Sequence, residues 1–217
     1  MSKALEDIGL IENPEQRCAC VLLLDTSGSM SEAPIAALNE GLRVLHDTLS
    51  TDSVASRRVE VAIVTFDSAV KVVQNFTTVD QFQPPTLGAS GNTSMGAGIE
   101  KALDLITERK RAYVAHGITY FRPWIFMITD GAPTDSTETA RLRIKDEEAR
   151  KGVAFFAVGV DSADMAKLQE ISVREPKKLR GLEFKELFVW LSRSMQRASQ
   201  AQPDDQIGLQ ATGWSTV

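Results

Sequence analysis

Residues 18–24 form an unbroken apolar run, Cys-Ala-Cys-Val-Leu-Leu-Leu, which ends in the polar sequence Asp-Thr-Ser-Gly-Ser. A strand with one face in water alternates apolar and polar residues, and this run does not alternate. It also contains no Gly or Pro. Such a run is typical of a strand that is buried on both faces of a parallel sheet. We therefore predict a central strand here, with a polar loop at its carboxyl end.

Helical and extended patterns alternate along the rest of the chain. From Ile35 to Leu49, large apolar residues recur every three or four positions, which predicts an amphipathic helix with Pro34 in its first turn. The tight Asp67-Ser68 connection predicts an antiparallel hairpin at an edge of the sheet. Further strands are predicted at 59–66, 70–73, 123–129 and 153–160, a brief edge strand at 176–181, and further helices at 95–106, 137–151, 162–171 and 184–195.

This alternation predicts an α/β fold: a doubly wound, mostly parallel central sheet with one antiparallel edge strand and helices on both faces. A length of 217 residues suits one domain of this class. We expect a polar lead-in at 1–16, the domain itself at 17–200 and a C-terminal tail at 201–217. The pattern does not decide whether that tail, which contains Trp214, folds back.

Composition excludes several classes of protein. The net charge is −5, which argues against a broad nucleic-acid-binding surface. No run of about 18 apolar residues indicates a membrane span, and the acidic start lacks the features of a secretory signal. Cys18 and Cys20 would lie two apart on one strand face, a poor arrangement for a disulfide, so we expect reduced core thiols. These features favour a cytoplasmic protein with no nucleic-acid or membrane partner.

Oxygen-bearing side chains follow the predicted strands at the edge where sites form in doubly wound sheets. Asp25, Ser27 and Ser29 come directly after the first strand. Thr93 lies in the loop that opens a helix, and Asp130 follows the strand predicted at 123–129. Mg²⁺ requires about six oxygen ligands, and two carboxylates with neutral hydroxyls meet that requirement. Mn²⁺ suits the same ligands. We therefore expect a divalent metal site whose open position accepts an acidic side chain of a partner protein.

The order Asp25-x-Ser27-x-Ser29, then Thr93, then Asp130 resembles the metal-ion-dependent adhesion site of von Willebrand factor A domains. The resemblance implies that Ser27 and Ser29 ligate the metal directly. It implies that Thr93, Asp25 and Asp130 act directly or through metal-bound water. Many members of the family have two glycines before the threonine, where this chain has Gly-Asn.

A narrower likeness involves Arg122-Pro123-Trp124, the segment 129–135 (Thr-Asp-Gly-Ala-Pro-Thr-Asp) and the segment 184–192 (Phe-Lys-Glu-Leu-Phe-Val-Trp-Leu-Ser). These segments resemble the bacterial tellurium-resistance TerY-type branch of the family. That branch is associated with protein kinase and serine/threonine phosphatase partners, so the resemblance implies a place in a kinase- and phosphatase-linked stress system.

Other functions fit the residues less well. Asp-Thr-Ser-Gly-Ser alone is also an ordinary helix-capping turn, and Asp67 and Asp135 are interpreted as turn residues more readily than as rim residues of a metal site. The glycine-rich loop at 88–98 lacks the Gly-Lys-Ser/Thr of a phosphate-binding loop. An aspartyl-phosphate-forming phosphatase would have a second acid where Ser27 stands. The alternative to metal-dependent binding is a phosphorylation substrate and scaffold of a partner kinase. We expect a binding protein and not an enzyme.

Overall fold

The computed structural model describes residues 10–160, 163–201 and 213–216. Residues 1–9 of the predicted lead-in and residues 202–212 and 217 of the predicted tail lie outside the described residues. Ser162, where a short helix is predicted to begin, also lies outside them.

One seven-stranded sheet organises the described chain, with the strand order β3-β2-β1-β4-β5-β6-β7. The pairings from β2 through β1, β4 and β5 to β6 are parallel, whereas β3 and β7 pair antiparallel to their neighbours. The strands are β1 Cys18–Asp25, β2 Val59–Phe66, β3 Val70–Thr78, β4 Trp124–Thr129, β5 Ala154–Gly159, β6 Lys177–Leu179 and β7 Ser215–Thr216. The predicted fold class is confirmed, and the last strand adds a second antiparallel edge.

Helices cover both faces of this sheet. They are α1 Ala33–Ser50, α2 Ala55–Arg58, α3 Met95–Ala115, α4 Glu138–Ala149, α5 Met165–Ile171 and α6 Phe184–Gln200. The apolar sides of α1 and α6 share one core cluster with the sheet, and those of α3, α4 and α5 share the other. No helix within the described ranges is long and apolar enough to cross a membrane.

The strand β1 lies inside the sheet between β2 and β4 and contributes residues to both core clusters. All eight of its residues are buried. Cys18, Cys20 and Leu22 pack in the core with α1 and α6, while Val21 and Leu23 pack in the core with α3. Both cysteines are free and share one face, as expected. Burial, and secondarily the carboxylate of Glu60, raises the pKa of the Cys18 thiol to about 12.

Three elements differ from the sequence-based expectation. The strand β3 continues to Thr78, beyond the predicted 70–73. The added residues pair with β2 but show no apolar pattern, so the sequence did not indicate them. The short helix α2 was not predicted. The strand predicted at the edge near 176–181 is β6, and this position was wrong: β6 pairs with β5 on one side and with β7 on the other. The edge position belongs to β7, which follows the buried Trp214.

A buried ionic cluster closes the amino-terminal end of the sheet around Glu60. The Glu60 carboxylate accepts hydrogen bonds from Arg17 Nε at 2.9 Å and from Arg109 Nη2 and Nε at 2.7 and 2.8 Å. It also accepts one from the Tyr113 hydroxyl. The four side chains come from residues before β1, from β2 and from α3, and all are buried. Burial disfavours the charged guanidinium of Arg109, but its hydrogen bonds and attraction to Glu60 outweigh this, so its pKa is raised.

We predict that Glu60→Gln lowers the free energy of unfolding by about 3–5 kcal/mol, because it leaves two buried guanidinium groups without their countercharge. Urea unfolding followed by circular dichroism measures the change. Glu175→Gln, at an exposed carboxylate that pairs with Lys177, is the matched control and should leave the urea midpoint nearly unchanged, because exposed ion pairs contribute little to stability. Equal losses in the two variants would contradict the prediction.

Candidate metal centre

The parallel ladder between β1 and β4 brings two polar strand ends together. Leu24 pairs with Ile128, so the next residues along, Asp25 and Thr129, lie side by side at the carboxyl edge of the sheet. Asp130 follows immediately. Residues more than 100 positions apart in the chain are therefore neighbours because of strand register alone.

Asp25 is fully buried and held from both sides. Its Oδ1 accepts a hydrogen bond from the Ser27 backbone N–H at 2.8 Å, and its Oδ2 accepts one from Thr129 Oγ1 at 2.5 Å. The Gly131 N–H donates in turn to Thr129 Oγ1 at 3.2 Å. These three bonds fix the orientation of the carboxylate.

A continuous chain of oxygen atoms runs from Ser27 through Ser29 to Asp130. Ser27 Oγ lies 3.1 Å from Ser29 Oγ, and Ser29 Oγ donates to Asp130 Oδ1 at 2.8 Å. The short 3-10 helix Gly28–Met30 brings the two hydroxyls together. Ser27 and Asp130 are buried, whereas Ser29 is exposed. The cluster therefore opens to solvent on the Ser29 side.

Thr93 approaches the same cluster from the loop before α3. A Cβ atom built on Gly131 would lie 3.2 Å from Thr93 Oγ1 and 3.8 Å from Asp25 Oδ2, so both oxygens lie within 4 Å of one point. A side chain at Gly131 would require Thr93 to shift by a few tenths of an ångström, so the glycine leaves room for the Thr93 hydroxyl. Thr134 holds Thr93 in place, because its N–H donates to the Thr93 carbonyl at 2.9 Å and its Oγ1 accepts from the Thr93 N–H at 3.2 Å.

The segment after Asp130 also fixes the start of α3. Asp135 accepts hydrogen bonds from the Gly96 and Ala97 N–H groups at 3.0 and 2.9 Å. It thus caps a helix about 40 positions away, where a negative side chain is favourable. The sequence interpretation of Asp135 as a turn residue did not include this cap.

Asp67 forms a local turn and also links neighbouring loops by hydrogen bonds. Its Oδ1 accepts from the Ala69 N–H at 2.9 Å, as in a turn, and its Oδ2 accepts from Thr26 Oγ1 at 3.2 Å. Its carbonyl accepts from the Ser94 N–H at 2.9 Å. The loops after β1, after β2 and before α3 are thereby joined, and the positions of Ser27 and Thr93 depend on one another.

The electrostatics of the cluster favour a cation. Burial raises the pKa of Asp25; the hydrogen bonds from Ser27 and Thr129 lower it, and the negative charge of Asp130 raises it further. Among the described residues, no three His, Cys, Asp or Glu side chains form a metal-binding group. A cation bound here would therefore depend on hydroxyl oxygens as well as on carboxylates, which is the chemistry of a hard ion.

Sequence reasoning selected the five oxygen-bearing residues and missed their supports. Thr129 and Thr134 each contact a selected residue, yet both lie in segments that the sequence pattern explains as a strand end and a loop. The available signals were proximity in sequence to Asp130 and membership of the segment 129–135, and neither indicates a contact. Their roles follow from hydrogen bonds across strands and loops.

The sequence profile of the von Willebrand factor type A domain matches residues 20–180. This chain belongs to that family. Domains of the family commonly carry a metal-ion-dependent adhesion site and mediate protein interactions.

The individual proteins that are similar to this chain have low sequence identity to it. Matrilin-3 from Mus musculus is 26% identical over 154 residues, which cover 69% of this chain and 31% of that protein. A von Willebrand factor type A protein from Catenulispora acidiphila has a TM-score of 0.66 at 20% identity, covering 83% of this chain and 43% of the other. Proximal thread matrix protein 1 from the mussel byssus, in a structure described with a zinc-occupied MIDAS motif, has a TM-score of 0.58 at 13% identity, covering 83% and 48%. The chain thus spans less than half of each of these relatives, and the two structures establish the fold alone.

We predict that Asp25→Asn does not destabilise the protein in the presence of a chelator at neutral pH. The raised pKa means that folded Asp25 holds its proton above pH 3.8, where the unfolded chain releases it. Metal-free stability is therefore lost as pH rises through the folded pKa, and asparagine removes that loss. Urea midpoints between pH 4 and pH 8 measure the effect. Asp135→Asn is the control and should cost about 1 kcal/mol by weakening a helix cap; an equal loss in Asp25→Asn would contradict the prediction.

Proposed function

We propose that this chain is a metal-dependent protein-binding domain. A divalent cation, Mg²⁺ in the cell, is held by Asp25, Ser27, Ser29, Thr93 and Asp130 and accepts an acidic side chain from a partner protein. The observation that carries the proposal is the continuous chain of oxygens Ser27 Oγ, Ser29 Oγ and Asp130 Oδ1 at the open side of the cluster.

The spacing of these oxygens supports one small ion. Two oxygens at right angles on one Mg²⁺ lie about 2.9 Å apart, because each Mg–O bond is about 2.0–2.1 Å. The distances of 3.1 and 2.8 Å in this chain are close to that value. Little rearrangement is therefore needed for Ser27, Ser29 and Asp130 to share a cation.

The charge of the donor set supports a divalent ion that stays reactive. Two carboxylates balance a charge of +2, and the hydroxyls add no further negative charge. The bound cation supplies Lewis acidity toward one more oxygen ligand, and the exposed side chain of Ser29 marks where that ligand can approach. Oxygen ligands favour Mg²⁺ and Mn²⁺, while the zinc in the mussel relative's site makes Zn²⁺ a necessary comparison in any binding experiment.

We predict that Ser29→Ala lowers the affinity for Mg²⁺ by at least about tenfold, as loss of a metal-site group usually does. Ser31→Ala is the matched control, since Ser31 Oγ donates to the Gly28 carbonyl and is outside the proposed ligand set. Titration calorimetry with Mg²⁺, Mn²⁺ and Zn²⁺ measures the affinities. Urea unfolding is a second readout: metal at 100 times its Kd should stabilise the control by about 2.7 kcal/mol. Unchanged Mg²⁺ affinity in Ser29→Ala would reject the ligand assignment.

We propose further that the chain belongs to the TerY-type branch and binds a protein kinase or a serine/threonine phosphatase in the cytoplasm. Support comes from the segments that resemble that branch and from two free, buried thiols, which suit a reducing compartment. These segments also have local structural roles, because Asp135 caps α3 and Phe184, Leu187 and Phe188 are core residues of α6. Direct capture of partners is therefore the decisive experiment.

We predict that the immobilised chain retains a kinase or phosphatase from the native cell extract in Mg²⁺ and releases it in chelator. Asp25→Asn should retain neither protein, because the bridging cation is lost, whereas Ser31→Ala should behave as the unchanged chain does. Mass spectrometry identifies the captured proteins. A partner that Asp25→Asn retains equally in chelator would exclude the metal bridge, and metal-dependent capture of other classes of protein only would exclude the kinase and phosphatase assignment.

A further inference from the structure

The edge of the sheet beside β6 is completed by the very short strand β7, Ser215–Thr216. In β7, Ser215 pairs with Leu179 and Thr216 pairs with Lys178. One step earlier, the Arg180 N–H donates to the Trp214 carbonyl at 2.9 Å. These contacts span three residues on each side, whereas β1 pairs over eight positions with β2.

One side chain supplies most of the apolar contact in this segment. Trp214 is only 2% exposed and packs in the core cluster that also contains Leu179. Its indole ring lies 5.4 Å from that of Trp190 in an edge-to-face arrangement. The Trp214 Nε1–H is buried but has no hydrogen-bond acceptor among the described residues. The pocket thus accommodates the indole ring without providing a partner for its N–H group among the described residues.

The contacts that hold this segment require little of its sequence. A strand edge recognises backbone N–H and C=O groups, and side-chain pockets add the selectivity. Here the indole pocket is a selective element, because it encloses a large side chain that is only 2% exposed. Any extended segment with a suitably placed tryptophan could make the same backbone pairing.

The charge beside the edge indicates which segments would fit best. Lys178 and Arg180 are exposed and alternate with the buried Leu179, so they lie on the opposite face of β6. Acidic residues near the tryptophan would complement these two basic side chains. The chain as a whole has a net charge of −5, which makes this basic edge a local feature.

We propose that the edge of β6, together with the indole pocket beside Trp190, is a docking site for an extended, tryptophan-containing acidic segment of a partner protein. Residues 213–216 occupy the site in the free chain and must leave when the partner segment binds. This docking site lies at the β6 edge, apart from the metal centre at β1 and β4, and the proposal does not depend on metal binding.

The test uses the full-length Trp214→Ala variant, in which the pocket is vacated. The probe is a fluorescein-labelled acidic peptide, Asp-Gly-Trp-Ser-Glu-Val, which follows residues 212–217 with acidic residues in place of the two threonines. Fluorescence anisotropy should show at least about tenfold tighter binding to Trp214→Ala than to the unchanged chain, where the tethered segment competes at high effective concentration.

A peptide with alanine in place of tryptophan should lose about 100-fold in affinity. Val114→Ala, at an exposed apolar residue, is the control and should bind the probe as the unchanged chain does.

Hydrogen exchange tests the unchanged chain directly. The Arg180 amide should exchange faster than the Val160 amide, which donates to the Thr129 carbonyl inside the sheet. Release of residues 213–216 frees the Arg180 amide but leaves the Val160 amide hydrogen-bonded. Equal protection of the two amides would overturn the proposal, even if Trp214→Ala failed to fold. Absence of probe binding to folded Trp214→Ala, or equal binding of the two peptides, would also overturn it. A concentration-dependent dimer that Trp214→Ala abolishes would assign the site to a second copy of this chain and reject a foreign segment.

Discussion

The parallel register between β1 and β4 is the constraint on which the candidate site depends. It places Asp25 beside Thr129, and this contact anchors two of the loops that carry the oxygen donors. A shift of one residue would turn alternate side chains to the opposite face of the sheet. The core residues on both faces of β1 prevent that shift. Packing of the strand thereby determines the geometry of the polar residues at its end.

Two buried carboxylates, Glu60 and Asp25, lie at opposite ends of the sheet, and the groups around each one determine its role. Glu60 is surrounded by two guanidinium groups and a hydroxyl, so its charge is balanced within the chain. Asp25 is surrounded by hydroxyls, an amide and a second carboxylate, which orient its charge and do not neutralise it. The first arrangement stabilises the fold. The second favours a cation from outside the chain, at some cost to metal-free stability.

The loops around Asp25 behave as one unit because they are linked to each other. Asp67 joins the loops after β1 and β2 to the start of α3, and Thr134 and Asp135 join that start to the loop after β4. A change in any one of these loops would displace donors in the others. At the β6 edge, the last strand pairs over two positions, and one indole packs beside Trp190. Rigid support suits a metal site, whereas a short paired segment suits an exchangeable peptide site.

The sequence by itself determined the elements whose burial is continuous or periodic. The unbroken apolar runs of β1 and β2 indicate strands that are buried on both faces. The spacing of three and four residues in α1 indicates the side of the helix that faces the core, so the positions of these elements were predicted closely. Asp25, Ser27 and Ser29 were also accessible, because one short loop places them together. Tertiary structure alone decided the contacts of Thr129, Thr134 and Asp135. It also decided the position of Trp214 in the core. These depend on which strands are neighbours and in what register, and local periodicity carries no information about a partner 40 or 100 residues away.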